Sequence, residues 1–90
     1  MTDYGAGFAV ETIDWLAARG RSALAEDDIP RASEHVRALR RHAMDSGLTA
    51  AGRRWCLAVR RVLAAEVSEA IAERTRSALA ARGYDWEPRL

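Results

Sequence analysis

The chain contains no lysine; all fourteen of its basic residues are arginine. Arginine's planar fork can form two parallel hydrogen bonds to a carboxylate or phosphate and can stack on aromatic rings, which lysine's ammonium cannot do. A GC-rich genome, which enriches arginine, alanine and glycine together, produces the same bias with no function attached. One cysteine, Cys56, excludes an internal disulfide and fits a reducing compartment. No apolar run approaches the ~20 residues of a membrane span. The opening MTDYGAGF places an acid where a secretory signal needs base. The expectation is a soluble, cytoplasmic protein with no membrane partner, from a bacterium or something that infects one.

Large apolar side chains are also few. Isoleucine, leucine, valine, phenylalanine and tryptophan together number twenty, against nineteen alanines. No stretch alternates with a period of two, and helix formers dominate, so the chain is expected to be all-α. Its 90 residues suit a single helical domain near the lower end of what folds without metal or disulfide staples. A core this thin requires helices packed closely through small side chains. The expected architecture is a small three-helix bundle with a long C-terminal helix.

The first helix is expected over about residues 8–25, after a loose, Gly-punctuated start. Ala9, Ile13, Leu16, Ala17, Gly20 and Leu24 fall at spacings of three and four and make one buried stripe. Gly20 weakens that helix by up to ~1 kcal/mol relative to alanine. The stretch EDDIP then reads as a turn and a helix start, with Asp28 as cap and Pro30 in the first turn. The second helix is expected over 29–46, with Ala32, Val36, Leu39 and Ala43 inward and Gly47 as its C-terminal cap.

Thr49 caps the third helix, expected over 50–82, because Arg53–Arg82 contains no glycine or proline and Gly83 supplies the stop. At ~1.5 Å per residue this helix is roughly 50 Å long. A compact domain of this size has a radius of gyration of only ~12 Å. Either the helix bends near Glu66–Ser68, or the first two helices lie along its far half, or its end projects or is covered by another chain. Pro88 makes the tail 84–90 extended, with Tyr84, Trp86 and Leu90 spaced to clasp the bundle.

Charge is segregated along the chain. Residues 1–30 hold six acids and two arginines, whereas residues 31–61 hold eight arginines and two acids. The densest stretch is RRWCLAVRR at 53–61. Arg53, Arg54, Arg60 and Arg61 fall within roughly 120° of one helical edge, and Arg37, Arg40 and Arg41 of the second helix can extend it. Cys56, Val59, Leu63, Val67 and Ala70 make the core stripe, broadened by Trp55 and Val62, with Leu57 partly exposed within the basic edge. Glu66, Glu69 and Glu73 form an acidic stripe farther along. An antiparallel pairing of two long helices would set that stripe beside the arginines, making a homodimer through the long helix. The acids of the first helix could instead neutralise the same arginines within one chain. On the first helix, Phe8 and Trp15 fall opposite the buried stripe, with Arg19 placed to stack on Trp15.

Signals for catalysis are missing. His35 and His42 are seven residues apart, about 10 Å along a helix, too far to share a metal ion. GAG at 5–7 lacks the strand and the Gly-Lys of a phosphate loop, and Cys56 lies in the core stripe. Neither cofactor nor metal is expected. The expected function is a non-enzymatic protein–protein interaction module, such as an accessory subunit or a phage-encoded inhibitor. It would bind an acidic patch of a larger protein or complex through Arg37, Arg41, Arg53, Arg54, Arg60, Arg61, Phe8 and Trp15. The alternative is a small nucleic-acid-binding or phage-packaging protein using the arginine edge. A net charge of +1 and the absence of helix-turn-helix, zinc-ligand or RNA-stacking signatures count against it.

Overall fold

Three helices run up, down and up in a computed structural model that describes residues 3–83: α1 (Gly7–Ala25), α2 (Ile29–His42) and α3 (Ala50–Ala81). The chain is all-α, a small bundle with its helices packed on one another. No helix among the described residues is long and apolar enough to cross a membrane. The expected tail 84–90 lies outside the described residues.

The apolar stripes set the core. Ile13, Leu39, Cys56 and Leu63 are its largest fully buried side chains, one or two from each helix. Gly20, a propensity defect in the isolated helix, lies under Leu63. A Cβ there would come within 2.5 Å of the Leu63 side chain, so glycine leaves the space that Leu63 fills between α1 and α3. Both expected N-caps form. Asp28 accepts from the Arg31 amide and the Thr49 hydroxyl from the Gly52 amide.

The end of α2 and the N-terminus depart from expectation. Helix α2 stops at His42, with Ala43 rather than Gly47 in the cap position. Residues 43–48 make turns in which the Asp45 carboxylate accepts from the Gly47 amide at 2.7 Å. Gly47 is recruited by the N-terminal segment, whose residues 3–6 are held by hydrogen bonds rather than loose. The Ala6 amide donates to the Gly47 carbonyl, and the Thr49 amide donates to the Tyr4 carbonyl. Gly5 takes a φ of 123°, and a Cβ on Gly52 would collide with the Tyr4 carbonyl. These two glycines let residues 3–6 lie flat against the loop between α2 and α3.

Helix α3 is unbroken over 32 residues. Its last three turns stand clear of the bundle, and every residue from 71 to 78 is exposed. The principal extents are 52 × 29 × 20 Å and the radius of gyration is 16.3 Å, well above that of a compact chain. One contact steadies the projection: Arg74 grips both the carboxylate and the carbonyl of Asp27, in the turn between α1 and α2.

Candidate interaction surfaces

The three helices enclose three outer faces, and the side chains singled out by sequence are divided among them. The arginines gather in and beside the valley between α2 and α3. Two long-range bonds set the register of these helices: the Cys56 thiol donates to the Leu39 carbonyl at 3.2 Å, and Arg53 Nε donates to the Ala43 carbonyl at 2.9 Å. In an antiparallel pair so registered, Arg60, one turn beyond Cys56, comes level with Val36 and Arg37. Arg53 and Arg60 of α3 and Arg37 and Arg40 of α2 therefore border this valley, whereas Arg54 (beside Tyr4 and Trp55), Arg61 and Arg41 lie on the outer sides of the two helices next to it.

The quartet of 53–61 is not uniform. Arg53 is committed to the C-terminal end of α2, where a cation meets the negative end of the helix dipole. Arg60 is half-buried, and its Nε is enclosed without a hydrogen-bond partner. Arg54 and Arg61 are exposed, as are Arg37, Arg40 and Arg41. None of these seven makes an ion pair among the described residues. The acids of the first thirty residues pair with Arg31 and Arg74 instead, so the neutralisation expected within the chain is not the one that forms. Two apolar side chains interrupt the basic surface: Leu57, 42% exposed, and Met44, 77% exposed at the turn after α2.

The acidic stripe of α3 is on its other flank. Glu66 pairs with Arg21 of α1 at 3.7 Å, placing the stripe on the α1 side while the arginines border α2. In a two-fold antiparallel pair, the same patch meets itself across the axis, so each flank of the seam faces the like flank of the other copy. The pairing expected from charge order along the helix would thus set the arginine flanks together, away from the glutamates.

Phe8 and Trp15 occupy a second face, on the outside of α1 near α2. Both lie within the helix and are exposed, by 69% and 58%. Arg19 stands over the Trp15 ring at 5.9 Å, and His35 meets it edge-on at 6.4 Å. The histidines have local roles: His35 Nδ1 bonds the Arg31 carbonyl, and His42 Nε2 bonds the Ala9 carbonyl at the start of α1. Burial pushes the Cys56 thiol up from its ordinary value, which keeps it protonated and unreactive.

The third face was not anticipated. Trp55 and Val62 do not broaden the core; they are 40% and 50% exposed and line a shallow groove of about 400 Å³ between α1 and α3. Tyr4 stacks on Trp55 at one end of it, with ring centroids 5.8 Å apart. The sequence signal for this groove is the angular one: Trp55 and Val62 lie about 100–120° from the centre of the core stripe, at the limit of what a single neighbouring helix covers.

No protein-family model, curated protein or solved structure matches the chain.

Proposed function

We propose that the protein is a non-enzymatic interaction module that docks an acidic patch of a larger protein through the α2–α3 valley, in the manner of an accessory subunit or an inhibitor. The observation that carries this reading is a set of seven arginines on α2 and α3 without ion-pair partners among the described residues, with exposed Leu57 between the arginines of α3 and exposed Met44 just after those of α2. Arginine rimming an apolar centre has the composition of a protein-binding hot spot. Complementary charge around it selects the partner and its orientation more than it adds affinity. A second reading, binding of nucleic acid, draws on the same concentration of arginine on one face. The apolar residues within that face favour protein.

The test is charge reversal at positions that do not support the fold. Arg37 and Arg61 are exposed and make no hydrogen bond among the described residues, unlike Arg53 and the half-buried Arg60. The double variant Arg37→Glu/Arg61→Glu should melt within a few degrees of the parent, since surface charges move stability by about 0.5 kcal/mol or less. In affinity capture with nuclease present, the parent should retain a protein partner that the variant loses. Retention by both would show that the valley is a solvated face. Nucleic acid in the eluate, lost with the variant and with a reduced salt slope, would favour the second reading.

A further inference from the structure

The groove between α1 and α3 lies outside the arginine valley, and its two walls repeat one pattern. Helix α1 contributes Asp14, Ala17, Ala18 and Arg21. Helix α3 contributes Trp55, Ala58, Val59 and Val62. Each set is spaced i, i+3, i+4, i+7, which is two turns of one face, about 10 Å long. In α1 two alanines hold the middle and the charged residues the ends; in α3 Ala58 and Val59 lie between Trp55 and Val62. The contact of Gly20 with Leu63 keeps the two segments side by side, within about one turn of a common height.

We propose that this face is the interface of a homodimer, with a two-fold axis perpendicular to the helices passing at the level of Ala17 and Ala18. The charges select a second copy of this chain over another partner. Asp14 and Arg21 stand equally far from the midpoint between Ala17 and Ala18. The two-fold therefore sets Asp14 of each copy against Arg21 of the other. The same operation sets Val10 against Ala25, and the 55–62 face of α3 against its own counterpart, covering Trp55 and Val62. Helices α1 and α3 of both copies then form an antiparallel four-helix layer pair. Its middle is alanine and valine, small enough for the backbones to approach. Arg21, which already holds Glu66 of its own chain at 3.7 Å, gains a second acid.

Sedimentation equilibrium of the full chain across a wide concentration range tests this. The expected mass is twice the 9.9 kDa of one chain. Val62→Glu at the rim of the groove, and Ala18→Arg at the exposed centre of the α1 seam, should each raise the dimer dissociation constant at least about tenfold. Helix content by circular dichroism should be unchanged in both; if Val62→Glu disturbs the fold, Ala18→Arg decides alone. Asp14→Arg, which sets arginine against Arg21, should also weaken the dimer, and adding Arg21→Asp should restore at least part of the loss. A parent chain that stays at the monomer mass at every concentration overturns the proposal. So does a dimer that survives both Val62→Glu and Ala18→Arg, or a charge swap that restores nothing. The dimer does not rest on the arginine valley. Arg37→Glu/Arg61→Glu should leave the doubled mass in place, and loss of mass in that variant alone would assign association to the arginines instead.

Discussion

Replacing Arg53 with alanine should destabilise the protein, whereas replacing Arg61 should not, although sequence presents the two as equivalent members of one quartet. Arg53 Nε donates at 2.9 Å to the carbonyl of Ala43, a residue only 1% exposed. Removing the guanidinium leaves that carbonyl with no protein donor at the end of α2. A hydrogen bond from a charged group contributes about 1.5–3 kcal/mol, and a cation at a helix C-terminus adds about 0.3–1 kcal/mol. Because the Arg53 side chain is partly exposed, water replaces some of both, leaving a loss of about 1–2 kcal/mol. For a domain of this size that lowers the melting temperature by roughly 5–15 °C. Arg61→Ala should stay within about 0.5 kcal/mol of the parent. Arg53→Lys should fall between, because it keeps the charge near the dipole but not the fixed Nε donor. Urea denaturation of the four proteins reads these differences directly. Equal midpoints for Arg53→Ala and Arg61→Ala would refute the assignment of Arg53 to the α2 terminus.

Gly52→Ala should detach residues 3–6 despite improving helix propensity by up to ~1 kcal/mol, because the new methyl collides with the Tyr4 carbonyl; a changed Trp55 fluorescence spectrum, reporting loss of its stacking on Tyr4, checks this. Cys56 should label only as fast as the protein opens, since it is fully buried with its thiol donating to Leu39, and labelling at the rate of an exposed thiol would contradict that placement. Stability should also decline as pH rises past about 9, because the unfolded thiol ionises near its ordinary value of 9.0 while burial holds the folded thiol protonated above it. Denaturation midpoints of the parent and Cys56→Ala, compared across pH 8–10, isolate that contribution.

What the sequence made legible was local. Apolar residues at spacings of three and four marked all three helices, Asp28 and Thr49 marked two helix starts, and the glycine-free run after Arg53 marked the length of α3. What it concealed depended on residues far apart in the chain. Gly47 looked like the end of α2, but its carbonyl is taken by Ala6 and its amide by Asp45, so it belongs to a clasp between the N-terminus and the second loop. The same clasp explains Gly5 and Gly52. Gly20 read as a weak point in a helix because propensity does not register the Leu63 side chain packed against it. For the candidate sites, the helical wheel correctly drew the arginines to one edge and Phe8 and Trp15 to an exterior face. It could not say that the arginine edge borders α2, which turns Arg53 into a helix terminator and half-buries Arg60. Nor could it say that α1 leaves Trp55 and Val62 partly uncovered.

The two proposed surfaces bear on each other through the position of α3, which belongs to both. Its Trp55 and Val62 face the proposed two-fold, while Arg54 and Arg61 lie about 80–100° further round, toward the edge of the seam. A two-fold perpendicular to the helices leaves those arginines on the same edge of the dimer in both copies. The two basic valleys then join into one surface, and like charges approach across the seam. That repulsion weakens the free dimer, since opposed like charges at an interface are costly. An acidic partner lying along the joined edge would relieve it and so bind the dimer more tightly than the monomer. By reciprocity, the factor by which dimerisation tightens partner binding is the factor by which the partner tightens the dimer. Polyglutamate provides a direct probe of this coupling. It should lower the dimer dissociation constant of the parent and leave that of Arg37→Glu/Arg61→Glu unchanged. An equal effect on both would mean that the two surfaces act separately.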